Sequence, residues 1–256
     1  MKLTLLTSEL EAIFWDIVKQ DYCDYYFFIY DWLLVRDRSQ IFLAFEEEAV
    51  AGLMLIYEGI IVQLRGNYTA VEYMLDSLKL ETIDIQVPLS CESALLKKYP
   101  DYKLKAKVNL LSLTKGNEIL NIDIRPQRLG IEDSLQIALI MNKCYPEMWG
   151  GITSENIRTL MSSSSTVWLG IKSEDILVSF GYATLTPVVS HVTWIATKPD
   201  YENKGYATSI VSALVNECFN VADNVIIYVM DDNASANRVY RKVGFRPYKS
   251  YAFEKT

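Results

Sequence analysis

The chain reads as a mixed α/β (α+β) protein built twice over, on three observations. Helical and strand-like apolar periodicities alternate along it. The order of elements in the first half recurs in the second. A length of 256 residues suits two ordinary domains. Half of the residues are hydrophobic, with 17 Tyr, 9 Phe and 5 Trp, and no stretch is dominated by Pro, Gly, Ser or one sign of charge. The whole chain therefore has the apolar content to bury a core.

In the first half, Ser8 and Glu11 have the spacing of a capping box, and Leu10, Ile13, Phe14, Ile17 and Val18 follow at helical spacing, which predicts a helix over 8–20. An aromatic-rich helix is expected from Asp24 to Val35. Three strands follow, Ile41 to Phe45, Val50 to Tyr57 and Ile60 to Leu64, the first two joined as a hairpin by Glu46-Glu47-Glu48. Thr69 and Glu72 have the spacing to cap a helix to about Leu80. A strand at Ile83 to Val87, a short helix at Ser90 to Lys98 and a strand at Lys107 to Leu113 complete this half.

The second half is expected to hold a strand at Ile122 to Arg125, helices from Glu132 to Cys144 and Ser154 to Met161, and strands at Val167 to Ile171, Ile176 to Leu185 and Ser190 to Thr197. A long helix from Gly205 to Phe219, a strand at Val225 to Met230, a helix at Ala234 to Val243 and a strand at Ser250 to Phe253 close the chain. With a linker around Lys115 to Leu120, the predicted domains are 1–117 and 118–256. Matching elements are offset by about 126 residues through the hairpins and about 136 at the helix after the third strand. The second half thus carries roughly ten extra residues at one junction, centred on Lys198 to Lys204.

The N-terminal segment lacks the long apolar region of a signal peptide, and no run approaches the roughly 18 apolar residues of a membrane span. Cys23, Cys91, Cys144 and Cys218 show no paired spacing and read as buried thiols of a cytoplasmic protein. With one His and no close Cys pair, no metal site is expected. The net charge of −7 argues against nucleic acid as the partner. Residues 1 to 120 carry −6 and residues 121 to 256 carry −1, so the second half is the one that tolerates an anionic ligand.

At the extended junction a strand leads through Pro199 and a polar loop into Gly205, which opens an amphipathic helix with Ala207, Ile210, Val211, Leu214, Val215 and Cys218 on one face. A helix start offers free N–H groups and a positive dipole end, and Gly205 lets a ligand approach the backbone, which suits a pyrophosphate. Downstream, Asn233, Tyr240, Gly244 and Phe245 stand in the spacing N-x6-Y-x3-G-F. The same residues have structural readings: Asn233 as an N-cap, Tyr240 as a core aromatic beside Ala236 and Val243, and Gly244 as a left-handed C-terminal residue.

Together these segments resemble the GNAT superfamily of N-acetyltransferases. Its CoA-binding signature [RQ]-x-x-G-x-[GA] corresponds here to Glu202-Asn203-Lys204-Gly205-Tyr206-Ala207, and the resemblance covers residues 121 to 256. It implies a mixed, mostly antiparallel sheet flanked by helices, with a degenerate first copy and an intact second. It implies acetyl-CoA as cosubstrate, with pantetheine along the backbone of Ile195, Ala196 and Thr197. The N–H groups of Asn203, Lys204, Gly205, Tyr206, Ala207 and Thr208 would cradle the pyrophosphate, Asn233 would hold the pantetheine amide region, and Tyr240 would protonate the departing thiolate. Glu202 stands where the family has Arg or Gln. The first half offers only Leu64-Arg65-Gly66-Asn67-Tyr68-Thr69 at the equivalent place, too short for the loop.

The function implied is acetyl transfer to a primary amine by direct attack, the acceptor being a small amine or a protein or peptide amine. The alternative is a non-catalytic CoA-binding or protein-interaction module that retains the fold, favoured by Tyr228 standing where some relatives carry a basic carboxylate. An ammonium acceptor, with pKa about 10.4, must lose a proton first. His191 is the candidate base, with Thr193, Ile195 and Thr197 on its face of the strand by simple alternation; Asp231, Asp232 and Glu147 are rivals. Tyr145, Glu147 and Trp149 are expected to wall the acceptor pocket.

Overall fold

The computed structural model describes residues 1–79, 83–100, 106–146 and 150–255. The chain divides into two compact units. The first comprises Met1–Leu110, Val229–Asp232 and Tyr248–Thr256, and the second Leu111–Tyr228 and Asn233–Pro247. The fold is mixed α+β, with mostly antiparallel strands flanked by helices.

The first unit begins with β1 (Lys2–Leu5), α1 (Glu11–Val18) and α2 (Tyr26–Leu34). There follow β2 (Ser39–Glu46), β3 (Ala49–Tyr57), β4 (Ile61–Gly66), α3 (Tyr68–Ser77), β5 (Asp84–Pro88) and α4 (Glu92–Lys98). Strands β1 to β4 run antiparallel in order, and the connection through α3 makes β4 and β5 parallel. The chain's last strand, β12 (Arg246–Lys255), joins this unit, pairing antiparallel with β5 from Tyr251 onwards. Helices α3 and α4 bury Val71, Met74, Leu75, Ala94 and Leu95 against Val62, Leu64, Ile85 and Val87.

Two helix starts differ from expectation. Ser8 and Glu11 form no capping box, because the Glu11 carboxylate accepts from Trp32 Nε1 at 2.9 Å and Trp15 Nε1 at 3.3 Å. The cap of α3 is Asn67, whose side chain accepts from the Ala70 N–H at 2.9 Å, while Glu72 pairs with Lys97.

From β6 (Ala106–Thr114) the chain enters the second unit: β7 (Gln127–Arg128), α5 (Ser134–Cys144), α6 (Ser154–Met161), β8 (Thr166–Ser173), β9 (Ile176–Thr184), β10 (Ser190–Thr197), α7 (Tyr206–Cys218), β11 (Asn224–Met230) and α8 (Ala234–Val243). The strand expected at Ile122 to Arg125 does not form. The N–H groups of Asn121 and Ile124 instead take the hydroxyls of Ser212 and Ser209 on α7, and a two-residue strand after Pro126 pairs with β8. The unit repeats the first in pairing as well as order: β7 to β10 are antiparallel, and the crossover through α7 makes β10 and β11 parallel. On one face α5 and α6 cover Trp168, Phe180 and Tyr182. On the other, Ile210 and Leu214 of α7 lie so close to Gly181 that a Cβ there would meet Leu214 at 3.2 Å.

Candidate active site

The second unit's central feature is a pair of parallel strands that separate. The β10–β11 ladder holds two residue pairs, Ser190 with Val225 and His191 with Ile226, and among the described residues β11 matches nothing on β10 beyond them. On its other edge β10 stays bonded to β9, where Ala196 opposes Phe180 and the Lys198 N–H donates to the Val178 carbonyl. The carbonyls of Ile195 and Thr197 therefore turn to the edge that β11 has left. Tyr145 Oη donates to the Ile195 carbonyl at 2.7 Å, and the Cys144 thiol lies 3.6 Å from that of Thr197.

A β-bulge between Thr193 and Ala196 interrupts the register with β9, and Trp194 sits within it at φ +42. Simple alternation from His191 to Thr197 therefore fails. Thr193 opposes Tyr182 on the α5 face, whereas the Ile195 side chain reaches the α7 face, beside Gly181. A left-handed backbone costs about 1–2 kcal/mol for a residue with a Cβ. Turned this way, the Trp194 ring meets Tyr182 edge-on at 5.3 Å and Trp168 at 6.3 Å.

The loop after β10 is the segment expected to cradle a pyrophosphate, and its backbone is left-handed twice. Asn203 is at φ +61 and Gly205 at φ +83, two left-handed residues within three positions. Gly205 is the N-cap of α7 with no side-chain cap, and a Cβ there would meet nothing within 4 Å. The N–H groups of Tyr206, Ala207 and Thr208 have no carbonyl four residues back inside the helix. Lys204 Nζ lies 4.7 Å from the Tyr201 ring, which holds a cation beside the loop.

Tyr240 lies on α8, which ends at Gly244 in the left-handed region at φ +115; a Cβ at Gly244 would meet the Asn117 carbonyl oxygen at 2.6 Å, so only glycine fits. Tyr240 is 7 % exposed, and burial, reinforced by the nearby Tyr145 phenol, pushes its pKa well above the ordinary phenol value. It is thus held protonated. Tyr145 is likewise raised by burial and by Cys144 and Glu202, so Glu202 faces this group electrostatically. Asn233 caps α8, its side chain accepting from the Ala236 N–H at 3.0 Å.

His191 does not meet the requirements of a base. It is 8 % exposed, burial lowers its pKa to about 3, and its ring packs against Tyr228 at 5.6 Å. An imidazole with so little basicity is a poor acceptor for an ammonium proton. Of its rivals, Asp231 accepts from Asn109 at 2.7 Å and lies 3.8 Å from Lys107. Glu147 and Trp149 lie outside the described residues. Tyr145, expected to wall an acceptor pocket, stands at the open edge of β10. Its partner there is 50 residues away, and no local pattern announces such a bond. Among the described residues no cluster of three or more metal-ligating side chains occurs, and no helix is long and apolar enough to cross a membrane.

Known structures share this architecture. A Drosophila protein superposes with a TM-score of 0.75 at 12 % identity, covering 99 % of this chain and 98 % of its own. A GNAT-family acetyltransferase from Colwellia psychrerythraea superposes over 100 % of both chains, with a TM-score of 0.60 and 13 % identity. A tandem GNAT protein from the clavulanic acid biosynthesis pathway covers 85 % of this chain and 82 % of its own, with a TM-score of 0.56 and 10 % identity. At these identities the likeness is one of fold. A search of curated protein sequences finds no match. Residues 135–245, which hold the separating strands, the Gly205 turn and Tyr240, match the model of the acetyltransferase (GNAT) family.

Proposed function

We propose that the chain transfers an acetyl group from acetyl-CoA to a primary amine by direct attack, with both substrates bound together on the second unit. The observation that carries this reading is the left-handed turn at Asn203 and Gly205, opening onto an uncapped helix start directly after a strand from which β11 has separated. These residues fit a pyrophosphate-bearing thioester. The N–H groups of Asn203, Lys204, Gly205, Tyr206, Ala207 and Thr208 would take the phosphate oxygens. The backbone of Ile195, Ala196 and Thr197 would run beside the pantetheine arm, and the Asn233 amide would meet it at the start of α8.

Acetyl-CoA supplies an acyl group that an amine can attack, with CoA leaving as a thiolate. Tyr240 keeps its proton because burial raises its pKa, and gives it to the sulfur as the bond to carbon breaks. The amine's own proton passes to water, since His191 is a core residue rather than a base.

The test is release of free CoA thiol from acetyl-CoA across a panel of small amines, peptides and polyamines. Amine-dependent release supports transfer. CoA binding without release for any amine identifies the non-catalytic module, and absence of CoA binding overturns both readings.

A further inference from the structure

Helix α5 is apolar on both of its faces. Its inner face buries Ile137, Ala138, Ile140 and Met141 in the cluster that holds Trp168 and Phe180, as the fold requires. The outer face of such a helix is ordinarily polar, as it is on the neighbouring α6, where Glu155, Arg158 and Thr159 are exposed. On α5 it is not. Ile131, in the turn that leads into the helix, and Leu135 and Leu139 within it are 59 %, 58 % and 61 % exposed. Spaced four residues apart, they lie one above the next as a continuous row. Single exposed apolar side chains are ordinary, whereas a contiguous row marks a surface for a partner.

The charges beside the row select that partner. Asp133 is engaged within the unit by Lys172 at 2.7 Å, and the Gln136 side chain accepts from the Leu177 N–H at 2.7 Å. Glu132 and Lys143 are exposed, and among the described residues neither forms an ion pair. They stand at opposite ends of the row, about three turns apart at 3.6 residues per turn, and therefore on the same flank of the helix. A two-fold axis lying across α5 brings a second copy in antiparallel, with the partner's Lys143 opposite Glu132 and the partner's Glu132 opposite Lys143. The same operation sets Leu135 beside the partner's Leu139, so the row covers itself. A parallel pair would instead set like charges together at both ends.

We propose that the outer face of α5 binds the same face of a second copy of this chain, as an antiparallel pair of helices centred between Leu135 and Leu139. Three side chains fall short of the roughly 800 Å² per partner of a standard interface, so the pair is weak and exchanges with monomer. The proposal stands apart from the transfer reading, since none of these residues belongs to that site.

The test is sedimentation velocity on the full chain across the micromolar range. The wild type should move from monomer toward dimer as its concentration rises. Leu135→Glu and Leu139→Glu change exposed positions, where folding is not at stake, and each should weaken association about tenfold or more by placing an unpaired charge in the contact. Lys143→Glu should weaken it by opposing like charges, and adding Glu132→Lys should restore it, because the pairs are then only reversed. Lys79→Glu, an exposed change of the same net charge in the first unit, should have no effect. A wild type that stays monomeric overturns the proposal and leaves the face to a different partner. A dimer that survives Leu135→Glu and Leu139→Glu uses another face and overturns it equally. Failure of the double reversal to restore what Lys143→Glu lost, or an equal loss in Lys79→Glu, overturns the antiparallel pairing.

Discussion

The two units make the same turn from the fourth strand of an antiparallel run into a helix, and they finish it differently. In the first, β4 passes to α3 through Gly66 and Asn67, and Asn67 caps the helix with its own side chain. Arg65, 1 % exposed, fills the space beside that turn. Its guanidinium donates to Asp24 at 2.6 Å and Gln86 at 2.7 Å, and lies over the Tyr251 ring at 4.1 Å. Burial pushes the Asp24 carboxyl up, but Arg65, Lys249 and Tyr251 outweigh this and hold it below the usual carboxylate range. In the second unit the turn is longer, the helix start has no side-chain cap, and a Cβ at Gly205 would meet nothing within 4 Å. One junction caps its helix with its own side chain; the other starts its helix at a glycine with open space beside it, which is the difference the proposed function rests on.

The contrast can be broken from either side. The largest effect should come from the site. Tyr240→Phe keeps the ring against Phe245 and removes only the proton, so kcat should fall by about 10²–10⁴-fold with little change in CoA affinity. An unchanged kcat with lowered stability would make Tyr240 a packing residue. On the scaffold side, Asp24→Ala strands the buried Arg65 charge and should destabilise the protein by about 3–5 kcal/mol in denaturant unfolding, with CoA affinity intact. Asn67→Ala removes the α3 cap at about 1 kcal/mol, again without touching CoA binding. A drop in CoA affinity in either variant would mean that the first unit is more than scaffold.

The smallest effect concerns His191. Because burial lowers its folded pKa to about 3 from the ordinary imidazole value of about 6.5, its contribution to stability is full above the unfolded pKa and is lost as pH falls from 6.5 toward 3. The same shift removes any limb near pH 6.5 from catalysis. The pH profile of kcat/KM should therefore keep its shape in His191→Ala. A limb near the ordinary imidazole pKa that vanishes with the side chain would restore His191 as the base.

Much of this was legible in the residues themselves. Period and punctuation located most of the elements, and Gly205, Asn233 and Gly244 announced a helix start, a cap and a left-handed end because those roles are local. What escaped was non-local. The Ser8–Glu11 spacing read as a cap, but Trp32, 21 residues on from Glu11, took the carboxylate. Residues 122–125 read as a strand, yet Ile122 is exposed and the backbone here is held by serines of α7. The bulge at Trp194 broke a period-two reading that nothing in the strand's composition contradicts. The burial of Arg65 has no local sign, because its partner Asp24 stands 41 residues away.

The central claim is that only the second junction holds CoA. Calorimetric titration of CoA into the wild type and into Gly205→Val tests it directly, since a branched side chain at φ +83 strains the cap and fills the space left for phosphate. One site per chain in the wild type, lost in the variant, is the expected result; two sites per chain, or a site that survives Gly205→Val with undiminished affinity, would contradict it.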